Sequence, residues 1–248
     1  MGLPGLVLVH GGAHAADCGD LLVAELALRD NGLRVLAVDL PGRGSQPADL
    51  KEVTIASWAD SVVGQVEDAS LGDVVVVGHS MGGLTVPAVV ARLGFPRVRE
   101  MIFAAAFVPP QGASVLDALR GPLAPVARVG VRLDGSFAMP SAAARLAFCN
   151  GMTKEQRGVA LSRLYPESPR VIAERVDRSD LPDEVPRAWI MTTRDRALSP
   201  RQQLAGVGNL GGVDTLLHVD TCHDLMYAEP GWLAEVLLQR CRLRARPA

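Results

Sequence analysis

Ser80 lies in Gly78-His79-Ser80-Met81-Gly82, a G-x-S-x-G pattern whose glycines let a serine sit at a sharp turn. A serine hydroxyl is a poor nucleophile at neutral pH. It needs a base to take its proton and a carboxylate to orient that base. Five histidines compete for the first role. His79 adjoins the serine inside the turn, so its side chain points away. His218 falls within an apolar run. His10 closes another such run and braces the loop after it, while His14 lies nearer the mouth of a site, where it can touch substrate. His223 follows the last apolar run, where a triad in the chain order Ser, Asp, His needs its base. Asp195, in Thr192-Thr193-Arg194-Asp195-Arg196, follows the preceding run and stands where the acid belongs. Asp220 and Asp224 are too close to His223 in sequence to reach round its ring. The plain alternatives are a glycine-rich turn with an ordinary serine, a surface-loop histidine and an arginine-flanked loop aspartate. Acyl transfer through such a serine creates an oxyanion, and one fixed donor to it contributes about 3–4 kcal/mol. Met81 N–H, just after the serine, and Gly12 N–H, in Gly11-Gly12, are the candidate donors; a simple tight turn is the other reading of the glycine pair.

These residues need a scaffold that brings three distant stretches together. Val74 to Val77 are four consecutive β-branched residues, the mark of a strand buried on both faces, and Leu84 to Leu93 after the serine can form a helix. Other apolar runs predict strands over 6–10, 34–40, 100–105, 187–193 and 213–219. Helical spacing is clear in Leu21 to Leu28, in Ile55, Trp58, Ala59, Val62, Val63 and Val66, after Ser199-Pro200, and after Pro230. Six strands alternating with helices predict an α/β fold: a doubly wound, mostly parallel sheet in the order 2-1-3-4-5-6. The switch point then falls between the first and third strands, where His10-Gly11-Gly12 and Ser80 end up. From about 111 to 184 no strand is evident, only short helical segments. Residues 1–110 and 185–248 are therefore expected to form the core and 111–184 an inserted helical cap. Phe137, Met139, Leu146, Phe148, Leu161 and Leu164 are apolar residues of that cap with little sheet to bury them, and with His14 they are the candidate substrate pocket. Packing of the cap on itself is the competing use for each.

Composition narrows the function classes. The chain has 248 residues, enough for one large α/β core, and a formal charge of −2, which gives no basic surface for nucleic acid or anionic membrane. Cys18, Cys149, Cys222 and Cys241 form no C-x-x-C pair and no zinc spacing, so reduced thiols are expected. The first residues carry no basic signal region, and Leu6 to Val9 is too short to span a bilayer, so a cytoplasmic location is expected.

Taken together, the sequence resembles an α/β-hydrolase of the short-cap branch that holds plant methyl-ester esterases, hydroxynitrile lyases and bacterial relatives. The residues that carry the resemblance are Leu6 to Gly11 with His14, Val77 to Gly83, Phe103-Ala104-Ala105-Ala106-Phe107-Val108-Pro109, and the His223 region with Met226 and Pro230. It implies the triad Ser80, Asp195 and His223, no cofactor and no metal, and a small-molecule substrate, with a homodimer left open. Lyases of the branch have a lysine directly after the histidine and a threonine in the first loop; here Asp224 and Gly12 stand there. A carboxylate beside the histidine would oppose an anionic leaving group. Hydrolysis of a small or medium apolar carboxylic ester, lactone or thioester is therefore expected. A carbon–carbon lyase or cyclase using the same triad, and a ligand-binding relative without turnover, are the alternatives.

Overall fold

The computed structural model describes residues 2–121, 123–132 and 138–246. Strands β1 (Gly5–Val9), β2 (Val35–Val38), β3 (Val74–His79), β4 (Val98–Ala104), β5 (Arg187–Thr192) and β6 (Thr215–Val219) form one sheet in the order β2-β1-β3-β4-β5-β6. Every pairing is parallel, as expected from the sequence. Between the strands run α1 (Asp20–Arg29), α2 (Ile55–Asp68) and α3 (Gly82–Leu93), then α4 (Val115–Ala118), α5 (Leu123–Arg132), α6 (Ser141–Phe148), α7 (Lys154–Ser162) and α8 (Pro169–Ala173). The last helices are α9 (Pro200–Asn209), α10 (Leu225–Ala228) and α11 (Pro230–Leu243).

Alternation along the strands sends side chains to two cores. Val7, Val9, Val74, Val76, Met101, Phe103 and Trp189 pack with Trp58, Val62 and Val66 of α2 and Val86, Val89 and Val90 of α3. Leu6, Leu8, Val75, Val77, Ile102 and Ile190 pack on the other face with Leu22 and Leu26 of α1 and Leu233, Leu237 and Leu238 of α11. The sheet is thus covered on both sides, which is why its central strands read as unbroken apolar runs. Thr54 caps α2 by accepting from Ser57 N–H at 3.0 Å. The four cysteines are buried and free. No helix among the described residues is long and apolar enough to cross a membrane.

Three of the four non-glycine residues with positive φ among the described residues lie at the carboxyl edge of the sheet, the fourth being Ser70 before β3. Ala13, Ser80 and Ala105, just past β1, β3 and β4, have φ of 60°, 49° and 45°. Side chains are uncommon in that region, and such conformations persist only where the surroundings hold them. Helices α4 to α8 all fall between β4 and β5 in the chain.

Candidate active site

The turn from β3 into α3 is held by close packing. A Cβ on Gly78 would come within 2.9 Å of Gly82 backbone, and one on Gly82 within 2.8 Å of Val9 O, so strand, helix and β1 approach as only glycines allow. Ser80 N–H donates to Ala104 O at 3.2 Å, and Ser80 O accepts from Gly83 and Phe107 N–H at 3.0 and 2.8 Å. The left-handed Ser80 is thereby fixed, and α3 begins at its side chain with the partial positive charge of a helix N-terminus.

His223 lies in the loop after β6 and Asp195 in the loop after β5, and both reach Ser80's neighbourhood. His223 Nε2 is 2.9 Å from Ser80 Oγ, and His223 Nδ1 is 2.7 Å from Asp195 Oδ2. A carboxylate only accepts, so Nδ1 carries the hydrogen and Nε2 of the neutral ring is free to accept the Ser80 proton. Asp195 is itself held by four further donors. Oδ1 accepts from Ala197 and Leu198 N–H at 2.8 and 2.7 Å. Oδ2 accepts from Thr192 Oγ1–H at 2.8 Å and from the buried Gln203 Nε2–H at 3.3 Å. Gln203 also donates to the carbonyls of Thr192 and Leu198, tying α9 to the end of β5. Burial works against charge on the His223 ring, but the charge and hydrogen bond of Asp195 outweigh it and leave its pKa above the ordinary 6.5. Phe148 stacks on the ring at 5.2 Å.

Gly12 and Met81 flank Ser80 in the wall of one pocket, and neither N–H donates to a backbone acceptor among the described residues. The pocket encloses about 650 Å³, its open mouth included. Phe107, Leu119, Leu123, Met139, Phe148 and Leu198 give it an apolar wall. Of the residues singled out from the sequence, Met139 and Phe148 line it. Phe137 lies outside the described residues. Leu146 does not line it and is 66 % exposed, because it falls on the outer face of α6. Leu161 and Leu164 pack instead against the α1–α11 core.

His14 requires a correction as well. It is buried away from the mouth, with Nδ1 donating to Gly12 O at 2.8 Å and Nε2 to Asp224 Oδ2 at 3.2 Å. Both nitrogens face acceptors, so the ring is an imidazolium. Burial opposes that charge, but Asp224 prevails and raises the pKa; reciprocally Asp224 lies below its ordinary value because His14 offsets the cost of its burial. Asp224 therefore does not face the pocket, and the expected repulsion between it and a leaving group disappears. His79 Nε2–H donates to His223 O at 3.1 Å, and burial, with His223 beside it, pushes its pKa down to about 3. His14, His79 and Asp224 bring ligand atoms within 4.8 Å of one another, but the His14 nitrogens and His79 Nε2 are engaged in these hydrogen bonds. Asp220 is exposed and bound by Thr193 Oγ1–H at 2.9 Å, away from His223.

Two residues with no signal in the sequence also meet at the pocket. Glu167, between α7 and α8, lines it and accepts from Arg43 Nη2 at 2.6 Å and Ala13 N–H at 3.0 Å. Gly12 packs closely here: a Cβ would stand 2.6 Å from Met81 Sδ and 2.9 Å from Glu167 Oε2, so the ends of both side chains would have to shift to admit one.

The comparisons with known proteins agree with this architecture. A carbendazim-hydrolysing esterase of a Nocardioides species is 38 % identical over 133 residues, covering 53 % of this chain and 52 % of that protein. The chain thus spans about half the length of this relative, and less of the rice esterase PIR7A, of which 40 % is covered. Methylesterase 18 of Arabidopsis thaliana is 25 % identical over 94 % of this chain and 95 % of its own length. Among solved structures, an extracellular α/β-hydrolase from a Paenibacillus species superposes with a TM-score of 0.80 at 23 % identity, covering 95 % of this chain and 98 % of that one. The model of the alpha/beta hydrolase family matches residues 6–236, nearly the whole chain, and the protein belongs to that family.

Proposed function

We propose that the protein is a serine hydrolase that cleaves a small or medium apolar carboxylic ester, lactone or thioester through an acyl-enzyme. The observation that carries this reading is the unbroken hydrogen-bonded chain from Ser80 Oγ through His223 to Asp195, at 2.9 and 2.7 Å. His223 Nε2 takes the hydroxyl proton as Ser80 Oγ attacks the carbonyl carbon, and Asp195 stabilises the imidazolium that forms. The oxyanion accepts from Gly12 and Met81 N–H, with the N-terminus of α3 adding its partial charge. His223 then gives its proton to the departing alcohol or thiol. A water enters, loses a proton to His223 and attacks the acyl carbon; collapse of that intermediate frees Ser80 and the acid.

Residues 111–184 act in this reading as a cap over a core of 1–110 and 185–248, with α4, α5, α6 and α8 enclosing the acyl or alcohol part. The apolar pocket wall supports an apolar substrate. The names of the relatives, a carbendazim-hydrolysing esterase and a methylesterase, support an ester with a small alcohol. Cyanohydrin cleavage is disfavoured because no lysine or arginine lines the pocket among the described residues, so a departing cyanide would meet no cation. The test is a panel of phenyl and methyl esters, a lactone and a thioester, run beside mandelonitrile. Ester hydrolysis that falls about 10⁴-fold in Ser80→Ala is expected. Cyanide release that depends on Ser80, without ester hydrolysis, would overturn the proposal.

A further inference from the structure

Among the described residues that line the pocket, Glu167 is the one charged side chain. It is 5 % exposed, and among the described residues it is held by three donors. Oε1 accepts from Arg43 Nη2 at 2.6 Å and from Ser168 N–H at 2.7 Å, and Oε2 accepts from Ala13 N–H at 3.0 Å. A carboxylate has about four acceptor directions, two on each oxygen. Oε1 is therefore saturated, and Oε2 keeps one direction for a further donor. That oxygen stands 2.9 Å from where a Cβ on Gly12 would be, on the loop proposed to hold the oxyanion. An all-hydrocarbon substrate filling this pocket would strip water from Oε2 and return no hydrogen bond, a cost that selects against such substrates.

We infer that Glu167 is a specificity residue, and that the substrate is an ester carrying an N–H or O–H donor close to its scissile carbonyl. The inference rests on the ester-hydrolase reading and narrows its substrate class: hydroxy esters, carbamates and esters of N-acylated amino compounds are favoured over simple alkanoates. Arg43, buried behind Glu167, balances its charge so that the carboxylate does not repel the oxyanion beside it.

The test uses three matched pairs of phenyl esters: 2-hydroxypropanoate against 2-methylpropanoate, 3-hydroxybutanoate against 3-methylbutanoate, and N-ethylcarbamate against butanoate. In each pair a methyl or methylene replaces the donor. Each kcat/KM is divided by the rate of the same ester with hydroxide or, for the N–H carbamate, which hydroxide cleaves by elimination, by the hydroxide rate of its N-methyl analogue, which removes intrinsic reactivity. In at least one pair the wild-type protein is expected to favour the donor-bearing ester by about tenfold or more. Glu167→Gln, which keeps the shape but loses the charge, is expected to abolish that preference while its Ser80 still reacts with a fluorophosphonate. A wild-type preference under about tenfold in all three pairs overturns the inference whether or not the variant folds. So does a preference that survives in Glu167→Gln, or an equal loss on both members of a pair, either of which makes Glu167 only a tie between α8 and the β1 loop. Hydrolysis of none of the six esters overturns the ester-hydrolase reading itself and this one with it.

Discussion

A neutral imidazole can take the Ser80 proton only while its other nitrogen holds a hydrogen, and the Asp195 carboxylate secures that form of His223. Because Asp195 raises the His223 pKa, protonation should switch the enzyme off as pH falls, with the acid limb of kcat/KM above 6.5. Asp195→Asn should lower that limb and cut kcat by about 10⁴, because the amide presents a donor and favours the wrong tautomer. Asp220→Asn should leave both within about twofold, and a larger loss there than in Asp195→Asn would refute the assignment. The His14–Asp224 pair acts on stability. The raised His14 pKa adds stability that is complete below 6.5 and disappears as pH rises through its elevated value. The lowered Asp224 pKa adds stability that is present above 3.8 and disappears as pH falls through its depressed value. Asp224→Asn strands the imidazolium in a buried site, so a melting temperature lower by roughly 10 °C is expected, together with loss of the decline at higher pH. Thermal denaturation followed by circular dichroism at several pH values checks both. That Asp224 follows His223 directly is visible in the sequence. That it turns to His14, 210 positions away, is not, because neighbouring loop residues face opposite ways for reasons set by the fold.

At the scale of elements, the β3–α3 turn carries the most information per residue. Its strand is readable from the four valines and its sharp turn from the paired glycines, and the structure returns both. Helix α5 was not readable: Pro125 and Gly130 interrupt Leu123–Arg132, and it forms because Ala124 and Ala127 pack beneath it. Glu167 and Arg43 are 124 positions apart, and no local pattern announces a partner at that distance. Glycine substitutions separate packed turns from ordinary helix. A Cβ on Gly83 would meet Phe107 O at 2.5 Å, a backbone atom that cannot swing aside. Gly83→Ala is therefore expected to destabilise the protein by roughly 2–3 kcal/mol and to slow fluorophosphonate labelling of Ser80. Gly64→Ala in α2 meets nothing within 4 Å and should stabilise by up to about 1 kcal/mol. Urea denaturation of the two variants gives opposite signs if the turn is packed as described.

Across the whole molecule, the sheet fixes Ser80, Asp195 and His223, the groups proposed to react, and helices between β4 and β5 line the pocket beside them. The apolar composition of that segment pointed to a pocket, yet only some of its side chains face inward. Helix spacing gives an apolar face without saying which neighbour it meets. Leu119→Ala enlarges the pocket wall and should move the preferred acyl or alcohol chain to a longer one. Leu146→Ala removes an exposed side chain and should leave the substrate profile unchanged. A chain-length series of 4-nitrophenyl esters distinguishes them, and an equal profile in both variants would mean that the segment only supports the fold. The central claim is that Ser80 carries the acyl group between the two halves of the reaction. It is tested most directly by quenching the protein in acid during steady-state hydrolysis of 4-nitrophenyl acetate and mapping the adduct by mass spectrometry. A single acetyl group on Ser80, absent in Ser80→Ala and cleared once substrate is consumed, is expected; turnover with unmodified Ser80, or a Ser80→Ala variant that keeps a tenth of the activity, would contradict it.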